Sequence, residues 1–267
     1  MKQLFYIGKK ESDNNQQVLS VRVGKNHASF AITNKAATTL YELAYCTTEQ
    51  WNEKELSAFF AAYPSLSDTF YTVLLNWDTT ESSLVPAKNF NQDDTALLLS
   101  SSASNSGTII SEAINEWQLY NVYAVPKEIF DFFSQRFASG KFWHQYSSAI
   151  RNSNPLNDNG SIMIDFREHD LTMIVARPGK FLLAQTFVYS TPEDVLYHLL
   201  KATQQFSLSQ QETVLQLSGL IDKRSALYKE LYQYFIHIDL RIPSWNVDDE
   251  YPAHFFTTLN DLARCAS

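Results

Sequence analysis

Glycine is scarce, at 7 residues of 267, against roughly 7% in an average protein. Glycine is what lets backbone approach a ligand closely, so glycine-rich phosphate loops are excluded over most of the chain. Cysteine numbers 2, which excludes a disulfide framework and predicts Cys46 as a buried thiol and Cys265 as a thiol near the C-terminus. No apolar run approaches the length of a membrane span. The opening Met1–Lys10 lacks the apolar centre of a signal peptide. Positive charge is also short: 21 Lys and Arg stand against 29 Asp and Glu, for a net charge of −8. That excludes a surface built to neutralise nucleic-acid phosphates and disfavours docking on an anionic membrane. No Gly-x-Ser-x-Gly, Walker loop or Cys-x-x-Cys occurs. The six histidines, His27, His144, His169, His198, His237 and His254, show no metal-ligand spacing. These absences predict a cytoplasmic protein with no membrane insertion, no nucleic-acid partner and no metal site.

What is present is apolar and aromatic, at 45% and 14% of residues, enough for a substantial core. The clearest pattern runs from Gly160 to Ser190. Ile162, Ile164 and Phe166 alternate with smaller or polar neighbours, Arg167 to Asp170 makes a polar turn, and Leu171 to Ala176 returns. Arg177-Pro178-Gly179-Lys180 makes a second turn, and Phe181 to Tyr189 is a third strand. A helix follows, with Thr191 as N-cap, Pro192 at its first position and Glu193 and Asp194 in its first turn. It runs to about Phe206. Then come a strand from Thr213 into Ser218-Gly219, a helix over Leu227 to Phe235, a strand from His237 to Ile242 and a final helix over Phe255 to Leu262.

The first half carries the same order. Val18 to Val23 alternates as a half-buried strand, Gly24-Lys25-Asn26 turns, Ala28 to Ile32 returns and Leu40 to Cys46 is a third strand. Asn52 caps a helix with Glu55 three residues on, whose apolar face is Leu56, Phe59, Phe60 and Tyr63. Pro64 stops it, and Phe70 to Leu75 is a strand. Thr108 to Ile114 and Leu119 to Val125 read as a hairpin, and Pro126 opens a helix with Ile129, Phe130 and Phe133 on one face. Phe142 to Ile150 reads equally as strand or helix. Residues 100–107 and the Asp248-Asp249-Glu250 run read as solvated loops.

Residue matches between the halves keep a nearly constant spacing. Leu19, Val21 and Val23 match Ile162, Ile164 and Phe166, and Tyr45 matches Tyr189. Ser65-Leu66-Ser67 matches Ser207-Leu208-Ser209, and Thr72-Val73-Leu74 matches Thr213-Val214-Leu215. The offsets lie between 141 and 144. This favours an internal duplication. The Asn-rich connection at 152–160 sets the expected boundary, giving subdomains 1–155 and 156–267.

Two α/β units of βββαβαβα order resemble the duplicated ribonuclease-H-like units of the actin-like ATPase fold, the superfamily of actin, heat-shock chaperone ATPase domains and sugar kinases. More closely, the chain resembles a Bacteroidetes family with this fold and no assigned activity. The carrying residues are Ser161 to Phe166, Leu171-Thr172, Phe181 to Tyr189 and Val214 to Gly219. Active members of the superfamily place an Asp-x-Gly loop after the first strand of each half, where backbone N–H groups meet phosphate and the Asp holds Mg²⁺. Here Asp165 and Thr172 fit, but Arg167 sits at the glycine position. In the first half Arg22 sits at the Asp position and Gly24 at the glycine position; an Arg holds no Mg²⁺ but offers a fixed positive charge to phosphate. Ser218-Gly219 keeps one glycine of the pair that contacts adenosine, with Leu220 at the other.

The resemblance therefore implies nucleotide-site candidates at Asp165, Thr172, Ser218, Gly219 and Gly24, with no catalytic residue. From its own position in the sequence, Asp165 reads first as a strand-end carboxylate satisfying local backbone N–H groups and only second as a metal or nucleotide ligand. Asp165, Glu168 and Asp170 as a two-metal nuclease cluster is the weaker pattern, because Glu168 and Asp170 share one tight turn. The expectation is a non-catalytic actin-like protein with degenerate nucleotide motifs and no cofactor, acting through a protein partner. The alternative is an ATP-binding protein or weak ATPase using Mg²⁺ and the cleft between subdomains.

Overall fold

The computed structural model describes residues 1–8, 16–99, 107–153, 158–245 and 251–266. The serine-rich stretch 100–106 and the Asp248-Asp249-Glu250 run lie outside them. Packing divides the chain into two compact units: Met1–Ser148 with Ser244–Asn246 and Leu259–Ser267, and Ala149–Pro243 with Val247–Thr258.

The first unit is built on β1 (Lys2–Ile7), β2 (Gln17–Gly24), β3 (His27–Asn34), β4 (Leu40–Thr47), β5 (Thr72–Asp78) and β9 (Lys141–His144), ordered β1-β4-β3-β2-β5-β9. The β2–β3 and β3–β4 pairings are antiparallel, while β5 runs parallel to both β2 and β9. The second unit is built on β10 (Ser161–Phe166), β11 (Asp170–Arg177), β12 (Lys180–Val188), β13 (Val214–Gly219) and β14 (His237–Leu240), ordered β12-β11-β10-β13-β14. Its pairings repeat the same senses. Every residue of β10 is buried, as expected of a central strand covered on both faces.

The helices begin where the sequence supplies caps. Asn52 Oδ1 accepts from Glu55 N at the start of α1 (Glu53–Ala62). Thr191 and Asp194 close a reciprocal capping box on α5 (Pro192–Gln205), satisfying donors the first turn would leave open. Between β5 and α3 (Lys127–Arg136) lies a separate three-stranded sheet, β6 (Ser82–Pro86), β8 (Leu119–Pro126) and β7 (Gly107–Ile114), with the short α2 (Thr95–Leu99) against it. The β7–β8 hairpin is the one expected from sequence. Phe142 to Ile150 is both things at once: β9 ends at His144 and α4 (Gln145–Asn152) starts at the next residue.

In the first unit, the α1 side of the sheet buries Leu19, Val21, Phe30 and Ile32 against Phe59, Phe60 and Phe133. Phe59 makes edge contacts with Phe30 at 6.0 Å, Trp51 at 5.6 Å and Tyr63 at 5.3 Å, the geometry that aromatic quadrupoles favour. In the second unit Ile162, Ile164 and Phe166 pack on Val195, Leu199 and Leu231, from α5 and α6 (Ala226–Tyr234). The last helix, α7 (Thr257–Arg264), places Leu262 against Val18 and Leu74 of the first sheet. Leu262 is fully buried, so Leu262→Ala should cost about 2–5 kcal/mol of the first unit's stability by cavity formation. Urea unfolding followed by tryptophan fluorescence measures it. No loss would mean that the terminal helix is not packed there.

Candidate functional site

Parallel strands gather chemistry at their carboxyl ends. In the second unit the register places Ser218 of β13 beside Asp165 of β10, Asp165 beside Thr172 of β11, and Thr172 beside Thr186 of β12. Three of the residues singled out from sequence, Asp165, Thr172 and Ser218, thus form one row. Ser218 Oγ donates to Asp165 Oδ1 at 3.0 Å. The row is covered by Arg167. Its Nη2 donates to Thr172 Oγ1 at 2.9 Å, its Nη1 lies 3.7 Å from Asp165 Oδ2, and its Nε pairs with Asp170 Oδ1. Thr172 Oγ1, which accepts from the guanidinium, also lies 3.1 Å from Thr186 Oγ1, within reach of a hydrogen bond between the two hydroxyls.

The turn that carries Arg167 is itself fixed. Arg167 N donates to Asp170 O at 2.8 Å, and the Tyr189 hydroxyl donates to Arg167 O at 2.7 Å. Burial, and then the Asp170 charge, push the Tyr189 hydroxyl pKa upward, so it stays a donor. Gly219 ends β13 at φ +79°, and a Cβ there would lie 2.1 Å from Phe166 O. Its lack of a side chain is taken up by the neighbouring strand, whose Phe166 O accepts from Leu220 N at 2.8 Å.

The corresponding row in the first unit is Asn76 of β5, Arg22 of β2, Ser29 of β3 and Tyr45 of β4. Arg22 Nε donates to Asp78 Oδ2 at 2.7 Å, and its Nη2 lies at the same distance from that oxygen. His27 Nε2 also reaches Asp78 Oδ2, at 2.9 Å. Arg22, His27 and Asp78 are all buried. The His27 ring stacks on Tyr45, with planes 4° apart, and lies across Gly24, where a Cβ would be 2.2 Å from His27 Cε1. Gly24 is thus the floor under an anchored imidazole.

His27 and Asp78 were not singled out from sequence, where β5 reads as ending at Leu75. The available signal was an Asp at the carboxyl end of a buried strand and a His just after the Gly24 turn. Among the described residues, no group of three or more His, Cys, Asp or Glu side chains could hold a metal ion. No helix among them is long and apolar enough to cross a membrane.

Residues 9–238 match the family described as "Protein of unknown function (DUF3822)". The chain belongs to that family. It is similar to a solved Bacteroides thetaiotaomicron protein described as having an actin-like ATPase fold and unknown function. That likeness has a TM-score of 0.80 at 18% identity and covers 96% of this chain and 100% of that one. The PilM–PilN type IV pilus biogenesis complex gives 0.58 at 12% identity, over 95% and 99% of the two chains. The cytoplasmic domain of EpsL, from the type II secretion system of Vibrio cholerae, gives 0.51 at 10%, over 94% and 96%. No curated protein matches the chain. This DUF3822 protein therefore has the actin-like ATPase fold, as the sequence resemblance implies.

Next to the Arg22 cluster in this DUF3822 chain, His144 is fully buried at the end of β9. Its Nε2 faces Thr79 O at 2.9 Å and its Nδ1 accepts from Tyr146 N at 3.1 Å. Together these partners fix the neutral, Nε2-protonated tautomer. Burial pushes its pKa down to about 4, against smaller upward effects from Thr79 and Asp78. The folded value lies below the unfolded one near 6.5, so the unfolded chain binds more protons. Stability is then complete above about pH 6.5 and falls by on the order of 3 kcal/mol as pH drops towards 4. Thermal unfolding from pH 7.5 to 4.5 should show this loss, and His144→Gln should flatten it. An unchanged slope in the variant would assign the acid sensitivity elsewhere. At the other row, Gly219→Ala should destabilise the second unit by more than about 1 kcal/mol, since the new Cβ meets backbone at a left-handed φ. Chemical denaturation of the variant against the parent tests it.

Proposed function

We propose that this protein keeps the actin-like ATPase fold as a framework for protein contacts and does not grip Mg–ATP for hydrolysis. The observation that carries this reading is the guanidinium group lodged near the end of the central strand of each unit. The resemblance assigns Mg²⁺ or its waters to Asp165 and phosphate to Thr172, and Arg167 is paired with Asp165 and bonded to Thr172. A cation brought to Asp165 would meet a fixed positive charge, and a phosphate brought to Thr172 would find its hydroxyl already bonded to both Arg167 and Thr186. In the first unit the Asp position is Arg22, paired with Asp78. The Gly24 turn that would offer N–H groups lies under the His27 ring. Neither set fits a Mg–triphosphate.

Two further points support the reading. The shared strand order β4-β3-β2-β5-β9 and β12-β11-β10-β13-β14 agrees with one module copied in tandem, its descendants occupying about 1–155 and 156–267. The net charge of −8 suits a protein partner in the cytoplasm better than nucleic acid or an anionic membrane. PilM, a protein of the same fold, is described in a complex with PilN.

Nucleotide binding is the second reading, favoured by the adjacency of Asp165, Thr172 and Ser218 at strand carboxyl ends. A site with micromolar affinity would stabilise the folded protein by about 4 kcal/mol at ~1 mM ligand. We expect no such rise in the unfolding temperature with ATP and Mg²⁺, and no heat of binding by isothermal titration. Micromolar binding with turnover would end the non-catalytic reading. A stabilisation by ATP that Asp165→Ala removes would put the second reading in its place.

A further inference from the structure

The two sheets differ at one edge. In the first unit β4 is not terminal: β1 lies antiparallel along it, from Lys2 opposite Thr47 to Ile7 opposite Leu43. Among the described residues, the corresponding strand of the second unit, β12, ends its sheet. None of its nine residues is buried, and Val188 is 75% exposed. Every second residue of such a strand turns its N–H and C=O groups outward. Protein edges of this kind are ordinarily blunted by Pro or charge. From Phe181 to Val188, β12 contains no Pro and no charged residue.

Charge is concentrated at the two ends of the strand and is opposite in sign. Arg177 and Lys180 face each other across the turn at the start of β12. At its far end Glu168 is exposed in the adjoining turn and exposed Glu193 and Asp194 open α5, while Asp170, opposite Val188, is already paired with Arg167. An antiparallel copy of the same strand would bring each basic end against the other's acidic end. A two-fold dimer requires this self-complementary arrangement.

We propose that β12 pairs antiparallel with β12 of a second copy of this chain, centred near Gln185, joining two five-stranded sheets into one continuous sheet. The strand that covers β4 within the first unit shows the form of cover; for β12 the cover comes from another molecule. The inference goes beyond the reading of the nucleotide positions and stands whether or not ATP binds.

Sedimentation velocity on the full chain, without nucleotide, tests it. The parent should shift from monomer to dimer with rising micromolar concentration, and amide exchange over Phe181–Val188 should slow in parallel. Gln185→Lys sets two like charges near the two-fold axis on an exposed side chain, and should abolish the dimer with the unfolding temperature unchanged. Lys180→Glu should weaken dimerisation about tenfold, and adding Glu193→Lys should restore it. A parent that stays monomeric overturns the proposal and leaves the edge to a strand of a different protein. A dimer untouched by Gln185→Lys, with fast exchange over Phe181–Val188, overturns it in favour of another surface.

Discussion

A charged group taken out of water must be matched by an opposite charge and by hydrogen bonds, or it costs several kcal/mol. The strand ends of both units are organised by that constraint. In the first, a single oxygen, Asp78 Oδ2, receives Arg22 and His27. Satisfying it draws the ends of β2 and β5 together and brings the start of β3 over Gly24. Breaking a buried ion pair of this kind by removing one partner costs about 3–5 kcal/mol in general. The polar cluster is therefore as structural as the aromatic core on the opposite face of the sheet.

The second unit meets the same constraint with the signs exchanged. Its row holds Asp165 on the central strand where the first holds Arg22, and the compensating charge, Arg167, comes from the turn that follows. Polarity is retained across each row: Ser218, Asp165, Thr172 and Thr186 in one, Asn76, Arg22, Ser29 and Tyr45 in the other. Each third strand or its end also holds the turn with an aromatic residue. Tyr45 stacks on His27, and Tyr189 hydrogen-bonds to Arg167 O. The match of Tyr45 to Tyr189, visible as an offset in sequence, thus has counterparts of similar place and different chemistry.

Most of the sheet framework was legible because alternation and turn residues act over a few positions. Ile162, Ile164 and Phe166 announce β10, and Thr191-Pro192 announces α5. Strand β1 was missed: Lys2–Ile7 alternates weakly, and its pairing with β4 is settled some forty residues later in the chain. Strand β6, five residues long, carries too little pattern to be seen. Phe142 to Ile150 gave two answers because a four-residue strand and a helix share it without a turn residue between. The Arg22–Asp78–His27 cluster was not legible, since Asp78 and His27 are 51 residues apart and no local rule couples them. Arg167 stands out in the sequence as an intruder at a glycine position, but its contacts with Asp165 and Thr172 depend on the register of β10 and β11.

The scarcity of glycine and the geometry of the two rows support one another. Where phosphate is cradled in loops, glycine is needed so that backbone N–H groups can come close to a ligand. Both glycines at these strand ends are instead closed by the protein's own atoms, Gly24 by the His27 ring and Gly219 by the Phe166 backbone. A ligand would have to displace an imidazole held by a carboxylate and a tyrosine in the first case, and a parallel strand pairing in the second. Both displacements disturb buried structure, and neither is like the swing of an exposed side chain. On the proposed reading, that cost opposes triphosphate binding independently of the missing Asp-x-Gly sequence. It predicts that putting Asp at position 22 or Gly at position 167 alone does not recreate a nucleotide site.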